Sequence, residues 1–185
     1  MKKIPLMKPK LILDYCGLHT VVSGGQTGAD QAGLHAARHF NIKTGGYIPK
    51  GFRTQAGSMP SLGTKYNLIE HSSSSYPPRT KLNAQMGDVT VRLASNFNSP
   101  GERLTIKLCN ELKKPVLDIH LHNDVDYDGT ALLLVNFLIT HAAGCLNVAG
   151  NSDRGELNGY HFRQARVILI KAFKILDDQK LIIKS

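Results

Sequence analysis

The stretch Thr20-Val21-Val22-Ser23-Gly24-Gly25-Gln26-Thr27-Gly28-Ala29-Asp30 decides how the rest of the chain is read. A β-branched run enters a turn holding three glycines, and the turn opens into the helical pattern of Asp30-Gln31-Ala32-Gly33. Strand, glycine turn and helix together point backbone N–H groups and the positive end of a helix dipole at one place, which makes an anion site. Gly24, Gly25 and Gly28 would allow positive φ and a close approach of phosphate to the backbone, while Ser23 and Thr27 offer hydroxyl donors. The plain alternative is a turn that merely joins strand to helix. The flanking elements favour a binding site. Neither a Walker lysine nor the spacing G-x-G-x-x-G is present, which argues against ATP hydrolysis and ordinary NAD redox chemistry.

Working outward, short apolar runs at 19–23, 44–47, 66–69, 89–93, 116–119 and 145–148 alternate with helical patterns. That alternation predicts a mostly parallel sheet of about six strands covered by helices, a Rossmann-like α/β three-layer sandwich. A helix over 30–40 carries Gly33, Ala36, Ala37 and Phe40 on one narrow face, which lets it lie close to the sheet. Helices over 102–112 and 160–176 repeat apolar residues at helical spacing, and Pro115 stops the first before a strand. Between Ala131 and Ile139 only Asn136 is polar, so a helix there needs cover on more than one side. Either the rest of the monomer or a second subunit supplies it, and a homo-oligomer, dimer or tetramer, is the expectation.

The 185 residues suit one domain with a substantial core. The expected division is a basic extension over 1–18, with Lys2, Lys3, Lys8 and Lys10, and a single ligand-binding domain over 19–185. A net charge of +9 attracts anions in general. With 6% aromatics and no Trp the chain lacks the stacking platform of many single-strand binders, so nucleic acid is an unfavoured partner. Cys16, Cys109 and Cys145 are odd in number and widely spaced, which reads as free thiols and not as a disulfide framework or zinc site. No apolar stretch suits a membrane span or a signal peptide, and the expected location is cytoplasmic.

Further along, Gly45-Gly46-Tyr47-Ile48-Pro49-Lys50-Gly51 follows a strand and could bring Lys50 to a bound anion. Arg79 and Asn83 share one face of a short helix at i and i+4. The segment Ser99-Pro100-Gly101-Glu102-Arg103-Leu104-Thr105 opens another helix at the ligand-binding edge of such a sheet. There Glu102 could act as a general acid or base, although a favourable charge in a helix first turn is the plainer reading. His120 and His122 beside Asp124, Asp126 and Asp128 invite a metal hypothesis. A calcium loop fails because its twelfth position is Val135, so no metal is expected. No Ser/His/Asp order comes with a recognisable nucleophile context.

Taken together, residues 23–30, residues 45–51, Tyr76 with Arg79, Thr80 and Asn83, and Leu-Asn-Val-Ala-Gly at 146–150 resemble the molybdenum cofactor carrier proteins. These are Rossmann-like relatives of the lysine-decarboxylase-like phosphoribohydrolases and of nucleotide-sensing domains. The resemblance implies a protein that holds a molybdopterin-type cofactor without transforming it. It also implies a site lined by Gly24, Gly25, Gln26, Thr27 and Gly28, with the 46–50 loop, Arg79 and the Ser99–Thr105 turn nearby. Two departures stand out: Pro100-Gly101-Glu102 replaces a Gly-Gly-Thr turn and adds a carboxylate, and one acid, Asp88, remains of an aspartate-rich stretch after Asn83. The first expectation is therefore a non-catalytic carrier of a phosphate-bearing ligand, molybdopterin or nucleotide-like. The alternatives are a nucleotide N-glycosidase using Glu102 or Asp30, and a sensor or sponge for an NAD-derived signal such as a cyclic ADP-ribose.

Overall fold

The computed structural model describes residues 17–154 and 158–184. In chain order the elements are β1 (Thr20–Ser23), α1 (Ala29–His39), β2 (Lys43–Gly45), β3 (Tyr47–Ile48), β4 (Arg53–Thr54), β5 (Gly57–Ser58), α2 (Ser61–Tyr66) and β6 (Ile69–Glu70). They continue with α3 (Tyr76–Met86), β7 (Val89–Ala94), α4 (Pro100–Glu111), β8 (Val116–His120), α5 (Tyr127–Thr140), β9 (Cys145–Gly150) and α6 (Tyr160–Asp178). The central sheet has five strands in the order β2-β1-β9-β7-β8, every neighbouring pair parallel. The fold is thus the α/β, Rossmann-like layering read from the alternating pattern. Because β9 lies between β1 and β7, three strand-to-helix loops meet at one edge of the sheet.

Alternation along the strands sets the layers. Val89, Val91 and Leu93 of β7 join Leu146 and Val148 of β9 in the main hydrophobic core, which α1, α5 and α6 complete through residues such as Ala36, Leu134 and Phe173. Thr90 and Arg92 alternate with them, and their partners lie under α4. The Thr90 hydroxyl accepts from Asn147 Nδ2 at 3.1 Å, and Arg92 Nη1 donates to the Glu102 carbonyl at 2.9 Å. One face of the sheet is hydrocarbon and the other a buried polar network. At Gly33 an added Cβ would lie 2.7 Å from Val148, so the small-residue face of α1 does permit close contact with β9.

Two expected strands differ from the fold. The run 44–47 breaks at Gly46, whose φ of +121° turns the chain out of the central sheet. A Cβ there would meet the Ser23 carbonyl oxygen at 2.3 Å, so only glycine passes. The run 66–69 begins in a helix, because Tyr66 closes α2 and Asn67 caps it in the left-handed region. Only Ile69 and Glu70 extend, pairing with β3 in a separate ladder. Five central strands therefore stand where about six were expected.

The extension expected over 1–18, with its lysines and Cys16, lies outside the described residues except for its end. Leu18 is fully buried and bridges to Ile182. Helix α5 is covered by the chain on one side, where Ala131, Leu134, Val135 and Leu138 are buried, while Leu132 and Leu133 stay half exposed. No helix among the described residues is long and apolar enough to cross a membrane.

Candidate functional site

The loops after β1, β7 and β9, together with α3 and the start of α4, enclose a cleft of about 710 Å³ at the carboxyl ends of the strands. This is the edge at which open parallel sheets take ligands. Of the residues singled out in the sequence, Gly24, Gln26, Asp30, Arg79, Asn83, Ser99, Gly101, Glu102 and Thr105 line it.

The glycine turn serves the cleft indirectly. The Gln26 N–H donates to Asp30 Oδ2 at 3.2 Å, and the polar groups of Ser23 and Gly24 beside it also favour the charged carboxylate. The anion met by the Gln26 amide is the protein's own. Burial pushes the Asp30 carboxyl up to about 6, opposed by Arg79 and by those hydrogen bonds. Gly25, at φ +71°, turns towards Leu68 and Ile48, and Gly28, at φ +85°, abuts the Asn151 carbonyl. The Ser23 hydroxyl is donated to the Val148 carbonyl at 2.8 Å. The Thr27 hydroxyl is buried without a partner among the described residues. Ser23, Gly25, Thr27, Gly28 and Gly46 therefore lie outside the cleft lining, and Lys50 is exposed on the short 3₁₀ turn Lys50–Phe52.

Helix α3 opens with Pro77 and Pro78 in its first turn and delivers Arg79 to the cleft floor. Its guanidinium lies directly over Gly24, under the Tyr76 ring at 5.5 Å, with Nη1 3.8 Å from Asp30 Oδ2. A Cβ on Gly24 would coincide with that guanidinium, so this glycine makes room for the arginine. Arg79 Nε has no partner among the described residues. Asn83 fixes α3 in place: Oδ1 accepts from the Tyr47 N–H at 2.7 Å and Nδ2 donates to the Tyr47 carbonyl at 3.0 Å.

On the opposite wall Ser99 caps α4, Thr105 donates to the Gly101 carbonyl, and nothing stands within 4 Å of where a Gly101 side chain would project. Glu102 is 2% exposed. Its nearest cation is Arg92 Nη1 at 3.6 Å, yet Arg92 is already held by a two-point pair to Asp118. Burial drives the Glu102 carboxyl up to about 7, against Arg92 and with help from Asp30 and Asp118. The Glu102 carboxyl is thus partly protonated near neutrality, and in that form it can donate a hydrogen bond where an ionised group would repel an anion.

Sequence reasoning missed Ser95, Asn96, Asn151, Ser152, Arg154 and His161, all of which line the cleft. Their signal was positional: Ser95 and Asn151 directly follow β7 and β9, at the strand ends where ligands sit. Ser95 Oγ lies 2.8 Å from His161 Nε2, and His161 Nδ1 lies 2.9 Å from Asp153 Oδ1. His120 instead meets the Ser95 carbonyl, and Asp126 caps α5. Among the described residues no group of three or more His, Cys, Asp or Glu is arranged to hold a metal ion.

The family model for the circularly permutated YpsA SLOG family matches residues 21–167. A solved structure of a proposed molybdenum carrier protein from Syntrophus aciditrophicus SB is 29% identical, with a TM-score of 0.76 over 85% of this chain and 96% of that one. A search of curated proteins found no match.

Proposed function

The chain belongs to the circularly permutated YpsA SLOG family, and on that premise we propose that it is a non-catalytic carrier that binds a phosphate-bearing small molecule in the cleft between Gly24 and Gly101. The observation that carries this reading is Arg79. It is an arginine 12% exposed, seated on a glycine, with one unpartnered nitrogen and a carboxylate neighbour too far for a close ion pair. Burial raises Asp30 to about 6 and Glu102 to about 7, so the two carboxyl groups oppose a bound anion less than ordinary carboxylates would. The N-terminus of α4 adds the positive end of a helix dipole on the opposite wall.

The volume of about 710 Å³ is in the range of pockets that enclose a whole cofactor. The likeness to a proposed molybdenum carrier protein makes a molybdopterin-type ligand the leading candidate. Asn147, Asn151 and Gln55 would pair with the polar edge of its ring system, and Tyr76 offers a flat surface. A second copy of the chain would find apolar surface to cover at Leu132 and Leu133.

Native mass spectrometry of freshly purified protein, with release and identification of whatever is bound, tests the proposal. The expected result is one phosphorylated small molecule per chain. A tightly held molecule without an anionic group would overturn it.

A further inference from the structure

A carrier's cleft calls for no nucleophile, yet one rim of this cleft holds a serine, a histidine and an aspartate in a relay. We propose that Ser95, His161 and Asp153 form a hydrolytic triad that cleaves small carboxylic esters at the mouth of the cleft. This goes beyond the carrier reading and involves none of the groups assigned to anion binding.

The geometry meets the requirements one by one. Ser95 Oγ is 2.8 Å from His161 Nε2, and the residue is exposed to the cleft. His161 Nδ1 is 2.9 Å from Asp153 Oδ1, which sets the ring tautomer: the proton sits on Nδ1 and leaves Nε2 to accept from the serine. Asp153 is 9% exposed and is itself fixed by the backbone N–H groups of His161 and Phe162, at 2.8 and 2.9 Å. Ser95 follows strand β7 of the central sheet, and the order Ser95, Asp153, His161 along the chain is the order found in sheet-based serine hydrolases. The surrounding Leu-Ala-Ser-Asn-Phe lacks their glycine-flanked serine, so no local motif marks Ser95.

Two backbone N–H groups, from Ser95 and Asn96, converge on a single point, Asn151 Oδ1, at 3.1 and 2.9 Å. That oxygen is also 3.4 Å from Ser95 Oγ. It occupies the place where the oxygen of a tetrahedral intermediate would sit, so Asn151 stoppers an oxyanion hole and must swing aside for turnover.

The reaction balances without a cofactor. Ser95 Oγ bonds to the ester carbonyl carbon while its proton passes to His161 Nε2, and the same proton then leaves with the departing alkoxide as the C–O bond breaks. Water, deprotonated by His161, next attacks the acyl-serine, and the acid is released with Ser95 restored. Asp153 acts through His161 and is a positioning residue.

The test uses the full chain with a fluorophosphonate probe and with p-nitrophenyl acetate, neither of which carries an ionised phosphate, so the outcome is independent of the carrier reading. Labelling should map to Ser95 and vanish in Ser95→Ala. In His161→Gln, with melting temperature checked, labelling and hydrolysis should fall by roughly 100-fold or more. Asn151→Ala should raise hydrolysis by about tenfold by freeing the two amides. Asp153→Asn should lower kcat with KM unchanged, which a merely structural role in capping α6 would not produce. Absence of Ser95 labelling in both the wild type and folded Asn151→Ala, or labelling that survives in His161→Gln, would overturn the proposal.

Discussion

The two faces of the central sheet are built by opposite rules. On one, Val89, Val91, Leu93, Leu146 and Val148 meet α1, α5 and α6 across hydrocarbon alone. On the other, Thr90 and Arg92 meet α4 through hydrogen bonds and an ion pair, Asn147 bonds Thr90, and the cleft at the strand ends holds two carboxyl groups lifted out of their ordinary range. The apolar face supplies stability. The polar face holds groups at a cost in stability that only a ligand or a reaction would explain. Strand alternation lets a single sequence carry both without compromise.

The largest effect should come from the apolar face. Phe173 of α6 is fully buried in the main core with its ring edge-on to Phe40, and Phe173→Ala should destabilise the fold by about 3–5 kcal/mol in chemical denaturation. The cleft chemistry of surviving folded protein should be unchanged. A comparable loss of binding without a loss of stability would break the division between faces.

The polar face should answer to pH. Glu102 ordinarily titrates near 4.5 and in the fold near 7, so the folded state keeps a proton that the unfolded chain gives up. Its stabilising contribution is therefore complete below about pH 4.5 and is lost as pH rises towards 7. Asp30 adds a slope of the same sign between 3.8 and about 6. Glu102→Gln should match the wild type at low pH and exceed it by up to roughly 3 kcal/mol above neutrality, measured as stability against pH. Equal slopes in the two proteins would show that Glu102 is not the buried proton holder.

A smaller and more local effect should follow from Gly24→Ala. The new methyl would occupy the position of the Arg79 guanidinium, the movable end of a long side chain, so the fold should tolerate it while the arginine is displaced. Affinity for a phosphate-bearing ligand should fall about tenfold, with melting temperature nearly constant. Calorimetric titration reads the first and scanning calorimetry the second.

Much of this architecture was legible in the chain. The 3.6-residue repeats of α1, α4 and α6 and the short apolar runs of β1, β7 and β9 placed the layers and the strand ends, because burial of one face imposes a period. The breaks were less visible. Gly46 departs from the sheet for want of space beside Ser23, and Asn67 ends α2 in a left-handed cap, both set by neighbours distant in sequence. The site was half legible: Arg79 and the Ser99–Thr105 turn were found, and the glycine turn was read as facing a ligand. Gly24 and Gln26 do line the cleft, but the Gln26 amide is turned onto Asp30, because an aspartate in the first turn of α1 can fold back on the turn that precedes it. Ser95, Asn151 and His161 carried no local motif, since their meeting depends on β9 inserting between β1 and β7.

In the proposed carrier the polar face reads an anion through Arg79. Calorimetric titration of a phosphorylated pterin and of the same pterin without its phosphate, into the wild type and Arg79→Met, isolates that contact. Removing the phosphate should weaken binding to the wild type by about tenfold or more, and that difference should disappear in Arg79→Met. Equal affinity of the wild type for both pterins, or a phosphate preference that persists without the arginine, would contradict the account.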